Sequence, residues 1–385
     1  MELKKYKMKD IVTFLNGRAY LMPELQDKGK YRILRVGNLS GGNDSWYYSD
    51  MELDENKYCE NGDLLYAWAC TFGPHLWKEE KVIYHYHVWK LIENKERVDK
   101  LYLYYYLLHQ TPLYLGGVNG ATMVHITKQN MEKKTVYIPA SLYIQQKISS
   151  ILSSYDRLIE NNTRRIRLLE QMAENLYKEW FVRFRFPEHE KVEMVNGLPE
   201  GWIKEELSNI ADVCMGSSPK SEYYNEEKKG LPFHQGVGSF GERFVLDNTY
   251  STSYSQIAEP MSILFSVRAP VGRLNYTRNR IVIGRGIAAI NHKEGMQSLL
   301  FYTLKTKFFK EDIIGNGAIF SSITKKELLK LKLIVPNKEL RVVFNNKINK
   351  IDREIDILYK QNQLLTRQRD LLLPRLMSGK LEVKS

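Results

Sequence analysis

Val118–Pro139, VNGATMVHITKQNMEKKTVYIP, and Ile314–Pro336, IGNGAIFSSITKKELLKLKLIVP, are two copies of one pattern. They align without a gap, with Asn119 on Asn316, Gly120 on Gly317, Ala121 on Ala318, Ile126 on Ile323, Thr127 on Thr324 and Pro139 on Pro336. A duplication of this kind means two similar units, each with its own core, in place of one large domain. A fainter echo lies upstream, where GDLLYAWACTFG (Gly62–Gly73) matches MSILFSVRAPVG (Met261–Gly272). Both read as an apolar strand that runs into a small-residue loop ending in Gly.

Working outward, each copy hands over after Pro139 or Pro336 to a long segment with few helix breakers. The first carries Ile144, Ile148, Ile151, Tyr155, Leu158, Leu169, Met172 and Leu176 at steps of three and four, with Asn162 on the stripe. The second carries Ile348, Ile351, Ile355, Leu358, Leu365, Leu372 and Leu376, with Asn362 on the seam. Such spacing predicts two helices of about 55 Å at 1.5 Å per residue. A long helix with a single apolar stripe is unstable alone, so the two are expected to pair as a coiled coil with an Asn in each seam. The order becomes domain, helix, domain, helix: residues 1–140, 141–182, a linker at 183–198, then 199–337 and 338–378, with a tail at 379–385. The linker reading rests on the Pro, Gly and charged residues of RFRFPEHEKVEMVNGLPEGW.

The chain has 385 residues, 43% of them hydrophobic and 26% charged, which is a folding composition with room for two domains. No run approaches the roughly 18 apolar residues of a membrane span and the start resembles no secretory signal, so a cytoplasmic protein is expected. Three cysteines in no CxxC pair suit reduced thiols. A net charge of +12 suggests a polyanionic partner. The excess is concentrated: no acidic residue separates Glu259 from Glu294, while Arg268, Arg273, Arg278, Arg280 and Arg285 fall between them. That window is read as a phosphate-facing surface.

Chemistry is harder to find. The chain has no GxxxxGK[ST] phosphate loop, and without a Pro-Pro dipeptide it lacks the signature with which amino-group DNA methyltransferases hold a flipped base. Asp54, Glu55 and Lys57 lack an apolar strand to position them as a nuclease site. His85 and His87 in YHYHVW lack a third metal ligand and are read as half-buried strand residues. The string LYLYYYLLHQ (Leu101–Gln110) could stack bases but fits a core helix better. Gly17, Gly216, Asn119-Gly120 and Asn316-Gly317 are read as turn residues. No catalytic and no metal-binding residue is expected.

EWFVRFRFP (Glu179–Pro187), GLPEGW (Gly197–Trp202), ILFSVRAPVGRLN (Ile263–Asn275), IGRGIAAI (Ile283–Ile290) and the terminal LLLPRLMSGKLEV, combined with the repeat, resemble the specificity subunits of type I restriction-modification enzymes. The resemblance covers essentially the whole chain. It implies an α+β protein with two pseudo-repeated target recognition domains, joined and separated by two long antiparallel helices in a coiled coil. Each domain would read one half of a split target on double-stranded DNA. The partners it implies are two modification subunits, which bind S-adenosylmethionine and methylate adenine, and ATP- and Mg-dependent restriction subunits, with no cofactor in this chain. A coiled-coil scaffold that leaves DNA to other proteins is the alternative. The residues expected on DNA are Arg18, Arg35 and Lys128 in the first domain and Arg268, Arg273, Arg278 and Arg285 in the second. The first domain departs from the pattern, with YAWACTFG where the second has FSVRAPVG, so its contact residues transfer less readily.

Overall fold

In each copy of the repeat, the most apolar run becomes the central strand of a four-stranded sheet. A computed structural model describes residues 2–39, 45–115, 126–308 and 322–383. The two Asn-Gly dipeptides lie outside the described residues. The chain divides into two compact units, Met1–Asn162 with Lys360–Ser385, and Thr163–Tyr359.

The first unit contains β1 (Leu3–Lys7), β2 (Val12–Asn16), β3 (Tyr31–Leu34), β4 (Tyr47–Ser49) and β5 (Tyr58–Cys59). They are followed by β6 (Leu64–Ala67), β7 (Gly73–Leu76), β8 (Val82–Tyr84), β9 (Val88–Glu93) and β10 (Thr135–Pro139). One sheet has the order β2-β9-β6-β7 and is antiparallel, while a second has the order β4-β3-β8-β5 with β3 and β8 parallel. All four residues of β6 are buried, which is why LLYA reads as an unbroken apolar run and not an alternating one. The string at Leu101–Gln110 lies in the helix Lys100–Leu115, where Tyr102, Leu103, Tyr105, Tyr106 and Leu107 are buried, so it is a core helix. β1 pairs with β10, closing the unit just before the first long helix.

The second unit repeats this plan. It contains β11 (Met194–Val195), β12 (Leu198–Pro199), β13 (Ile203–Glu206), β14 (Ala211–Met215), β15 (Tyr224–Asn225), β16 (Leu231–His234) and β17 (Tyr250–Ser251). They are followed by β18 (Ile257–Ala258), β19 (Ile263–Ser266), β20 (Leu274–Tyr276), β21 (Ile281–Ile283), β22 (Ile287–His292) and β23 (Lys332–Val335). The sheet β14-β22-β19-β20 corresponds to β2-β9-β6-β7, and β15-β17-β16-β21-β18 again holds one parallel pair, β16 with β21. β13 pairs with β23 as β1 does with β10.

The repeated residues that the structure describes have a local purpose. Thr127 and Thr324 each cap a short helix, their Oγ1 atoms accepting from the N–H of Asn130 and of Glu327, both at 3.3 Å. The Glu327 carboxylate accepts in return from the Thr324 N–H at 2.8 Å, completing a capping box. Gly17 and Gly216, expected in turns, sit where strand ends cross. A Cβ on Gly17 would lie 2.4 Å from the carbonyl oxygens of Tyr84 and His85, and one on Gly216 would lie 2.2 Å from that of Gly284. Glycine is needed at both for close approach of backbone to backbone.

The long helices span Leu142–Tyr177 and Lys338–Met377. Within the first unit Asp156 accepts from Arg369 at 2.6 Å and Asn162 donates to Gln361 at 3.4 Å, so numbering rises along one helix as it falls along the other. Within the second unit Arg165 pairs with Glu354 at 2.9 Å in the same antiparallel sense. Asn162 is buried, and Asn362 donates to the Ile159 carbonyl oxygen at 3.4 Å. The first seam differs in part from the expected stripe. Ile148 is buried, but Ile151, Leu158 and Met172 are exposed, while Leu152, Ile166, Ala173 and Tyr177 are buried. Apolar residues stand side by side at Ile151-Leu152, Leu158-Ile159 and Met172-Ala173, and periodicity alone does not choose between them.

The segment read as a linker is largely folded against the second unit. Phe186 and Trp202 are buried there with Trp180 and Phe181, and the Phe184 ring meets Trp202 edge-on at 5.4 Å. β11 and β12 form a small hairpin within this segment. The segment is read as a linker because its aromatic residues are masked by charges on either side.

Candidate nucleic-acid interface

Each unit brings four loops to one end: the segment after β2 or β14, the segment after β3 or β16, the β6–β7 or β19–β20 hairpin, and the turn after β8 or β21. The same backbone hydrogen bonds hold both ends. Arg18 N–H donates to the Tyr84 carbonyl at 3.1 Å, and Ser217 to Ile283 at 3.0 Å. His85 donates to Leu34, and Gly284 to His234, both at 2.9 Å. Trp68 donates to His87 at 3.1 Å, and Val267 to Gly286 at 3.0 Å. The scaffold is thus common, and the side chains on it differ.

In the second unit the Val267–Gly286 bond brings Arg268 and Arg285 onto adjacent loops. Both are exposed, and neither guanidinium has a hydrogen bond or ion pair among the described residues. The Arg285 N–H donates to Ser218 Oγ at 3.2 Å, and that hydroxyl donates to Gln235 Oε1 at 2.9 Å, so the turn carrying Arg285 is tied to two neighbouring loops. Arg273 is also exposed and lines a cleft of about 410 Å³ with Glu170, Glu242 and Lys305. Arg278 has a different setting. Its guanidinium pairs with Asp356 at 2.9 Å and lies over the rings of Phe244 and Tyr359, in contact with the second long helix.

In the first unit Arg18 forms a two-pronged pair with Glu24 at 2.7 and 3.0 Å and lies over the Tyr20 ring. The bond to Glu24, working against burial, raises the pKa of this guanidinium. Arg35 stacks over Tyr47 at 4.2 Å. Both arginines flank the turn His85–His87, since Arg18 bridges to His85 and the residue before Arg35 accepts from the His85 N–H. Lys128 donates to the Phe14 carbonyl at 2.8 Å on β2, with Glu132 at 3.7 Å. His85 and His87 lie in a turn and not along a strand, their rings 4.8 Å apart. Burial, then His87 and Arg35, push the His85 pKa down to about 4, so its ring is neutral at pH 7.

Sequence reasoning missed Trp68, Tyr86, Ser218 and Gln235 at these loop ends. The first two were hidden among many aromatic residues, and the last two carry no charge to single them out. Glu55 and Lys57 lie in a short exposed turn, with Glu55 bound to Lys81 and Lys57 to the Asn16 carbonyl. Among the described residues no group of three or more His, Cys, Asp or Glu could hold a metal ion, and no helix is long and apolar enough to cross a membrane.

Residues 1–171 and 199–367 each match the type I restriction modification DNA specificity domain. A relative from Methanocaldococcus jannaschii, named as the MjaX type I restriction enzyme specificity subunit, is 31% identical, the match covering 98% of this chain and 93% of that one. The MjaVIII specificity subunit of the same organism is 24% identical over 98% of this chain and 92% of its own. Among solved structures, the type I restriction-modification S subunit from M. genitalium superposes with a TM-score of 0.60 at 18% identity, covering 98% of this chain and 96% of that one. That likeness is one of fold. The duplicated domain, its two matches to one family and the end-to-end relationship agree: this chain belongs to the specificity subunits of type I restriction-modification enzymes, with two target recognition domains.

Proposed function

We propose that each target recognition domain reads one half of a split duplex DNA target through the loop end described above. The observation that carries this is the pair of matched loop ends, in which the same backbone hydrogen bonds present different side chains. Two readers of different sequence need such a common frame with a variable tip. Guanidinium groups free of internal partners suit phosphate oxygens or the O6/N7 edge of guanine. On this ground Arg268 and Arg285, whose guanidinium groups have no partner among the described residues, are the leading contacts of the second domain; Arg273 joins them only because it is exposed nearby on the β19–β20 hairpin. Arg18 and Arg35, held by internal partners, shape the first domain's loop end, whereas Lys128 and Arg278 are engaged elsewhere, by the Phe14 carbonyl and by Asp356.

The helix pair then sets the gap between half-sites and carries the modification subunits. Apolar side chains left on the outer faces support a partner-binding role. In the first unit these are Ile151, Leu158, Leu364 and Leu371, and in the second Leu168, Met172, Val343 and Ile357. Methyl transfer, with S-adenosylmethionine, belongs to those partners, and ATP- and Mg-dependent cleavage to restriction subunits. The direct test of the reading exchanges residues 1–140 for the same domain of a relative and sequences the methylated sites made by the assembled methyltransferase. One half-site should change and the other persist; a change in both would refute it.

A further inference from the structure

The matched hydrogen bonds place Tyr84, His85, Tyr86, His87 and Val88 of the first domain on Ile283, Gly284, Arg285, Gly286 and Ile287 of the second. Val88 N–H donates to the His85 carbonyl at 2.9 Å, and Ile287 to Gly284 at 3.0 Å, closing the same turn in both. Tyr86 therefore occupies the place of Arg285. It is 39% exposed at the tip of the turn.

Three aromatic side chains surround its ring. The Trp68 indole N–H donates to the Tyr86 carbonyl at 2.8 Å, and its ring centroid lies 6.0 Å from that of Tyr86 and 5.0 Å from that of His87. His85 and His87 flank the Tyr86 ring at 4.4 and 4.0 Å, and the Tyr86 N–H donates to the Arg18 carbonyl at 3.0 Å. In the second domain the equivalent of His87 is Gly286, where a Cβ would lie 2.6 Å from the Gln235 carbonyl oxygen. The first domain thus has side chains where the second has bare backbone. A tyrosine braced on three sides loses little conformational freedom on contact, which suits it to a fixed recognition role.

We propose that Tyr86, braced by Trp68 and the two histidines, is a sequence-determining residue of the first domain, contacting a base of its half-site without charge. Arg285 stands at the equivalent place in the second domain. This rests on the DNA-reading role proposed above. The chemistry expected is ring contact with a base edge such as the thymine methyl, or a hydroxyl hydrogen bond to a base acceptor.

The test uses the complete methyltransferase assembled on Tyr86→Ala, Tyr86→Phe and, as a control for an exposed tyrosine elsewhere in the domain, Tyr137→Ala. Methylated-site sequencing and DNA affinity against salt are read for each. Tyr86→Ala should relax one position in a single half-site and weaken binding about 5- to 150-fold. The salt slope should stay unchanged, because no phosphate contact is lost. Tyr86→Phe separates ring from hydroxyl, and retained specificity assigns the contact to the ring. Wild-type specificity and affinity in Tyr86→Ala would overturn the inference while leaving the domain reading intact. So would a slope lowered by about one, or an equal effect from Tyr137→Ala. A wild-type assembly that methylates no split target would refute the reading beneath it as well.

Discussion

Replacing Arg243 should unfasten the second recognition domain from its helices. This guanidinium is 5% exposed and bonds to Asp352 at 2.5 Å and Glu170 at 3.2 Å, one from each long helix, while lying over the Tyr276 and Phe301 rings at 5.1 and 5.3 Å. Burial opposes the charge, but Asp352 and the other partners outweigh it and hold the pKa above its ordinary value. Asp352 is 9% exposed, and besides Arg243 it has the Ser298 hydroxyl. Arg243→Met keeps most of the volume and leaves that carboxylate buried without a counter-charge, a loss of about 3–5 kcal/mol. For a unit of this size each kcal/mol shifts the midpoint by about 2–4 °C, so its thermal transition should fall by about 6–20 °C. Calorimetry of the full chain should show this shift in the second unit's transition, with little dependence on salt. Adding Asp352→Asn should restore much of the loss, because a neutral pair avoids the stranded charge. A cost below about 1 kcal/mol for Arg243→Met, or no recovery in the double variant, would show that the site is wet and the reasoning mistaken.

Three further outcomes follow from the same structure. Arg268→Ala and Arg285→Ala should each weaken DNA binding by the assembled enzyme, lowering the salt slope by about one if the contact is to phosphate or costing about 1–3 kcal/mol with one relaxed position if it is to a base. Wild-type binding in both would remove this surface from the interface. Four residues added to each long helix, at Asn161 and Asn362, lengthen it by about 6 Å, close to two base pairs at 3.4 Å, so methylated-site sequencing should return the same half-sites with a longer gap. An active variant with the original gap would assign the spacing to something else. Leu364→Glu with Leu371→Glu, both on an outer face, should leave the melting midpoint nearly unchanged while weakening co-purification of modification subunits, and undiminished co-purification would exclude that face.

The duplication, the α+β architecture and the paired helices were legible because they rest on patterns that repeat: a capped Ile-Thr-Lys motif at two places, and apolar residues every three or four positions. Choosing between Ile151 and Leu152 was beyond the sequence, since the two differ by one position in rotation and only the surfaces packed against the helix decide. The segment around Phe184 and Phe186 was obscured because charged neighbours lower its average hydropathy while the rings alone make contact. Of the proposed site, the sequence displayed the accumulation of charge to which Arg268 and Arg285 belong, and the structure puts these two on adjacent loops. It was not legible at Tyr86, whose standing depends on a register between two domains that share almost no residues in that turn. Nor did the arginine count disclose which members, such as Arg278, are held by an internal carboxylate.

The first unit is built from two separate stretches of the chain, Met1–Asn162 and Lys360–Ser385. Leu373, Leu376 and Met377 are buried in the same core as Met8, Ile11 and Val12. During synthesis the second unit, a single continuous stretch, has all its residues once Tyr359 has left the ribosome, whereas the first unit must wait for the helical turns that carry Leu373, Leu376 and Met377. Its core lacks those three side chains while the whole second unit is being made, at a stage when exposed apolar surface is prone to misassociate. Loss of the helical turns after Lys360 would therefore damage the domain formed by residues 1–162, about two hundred positions away in sequence, and leave the second unit with all of its own residues.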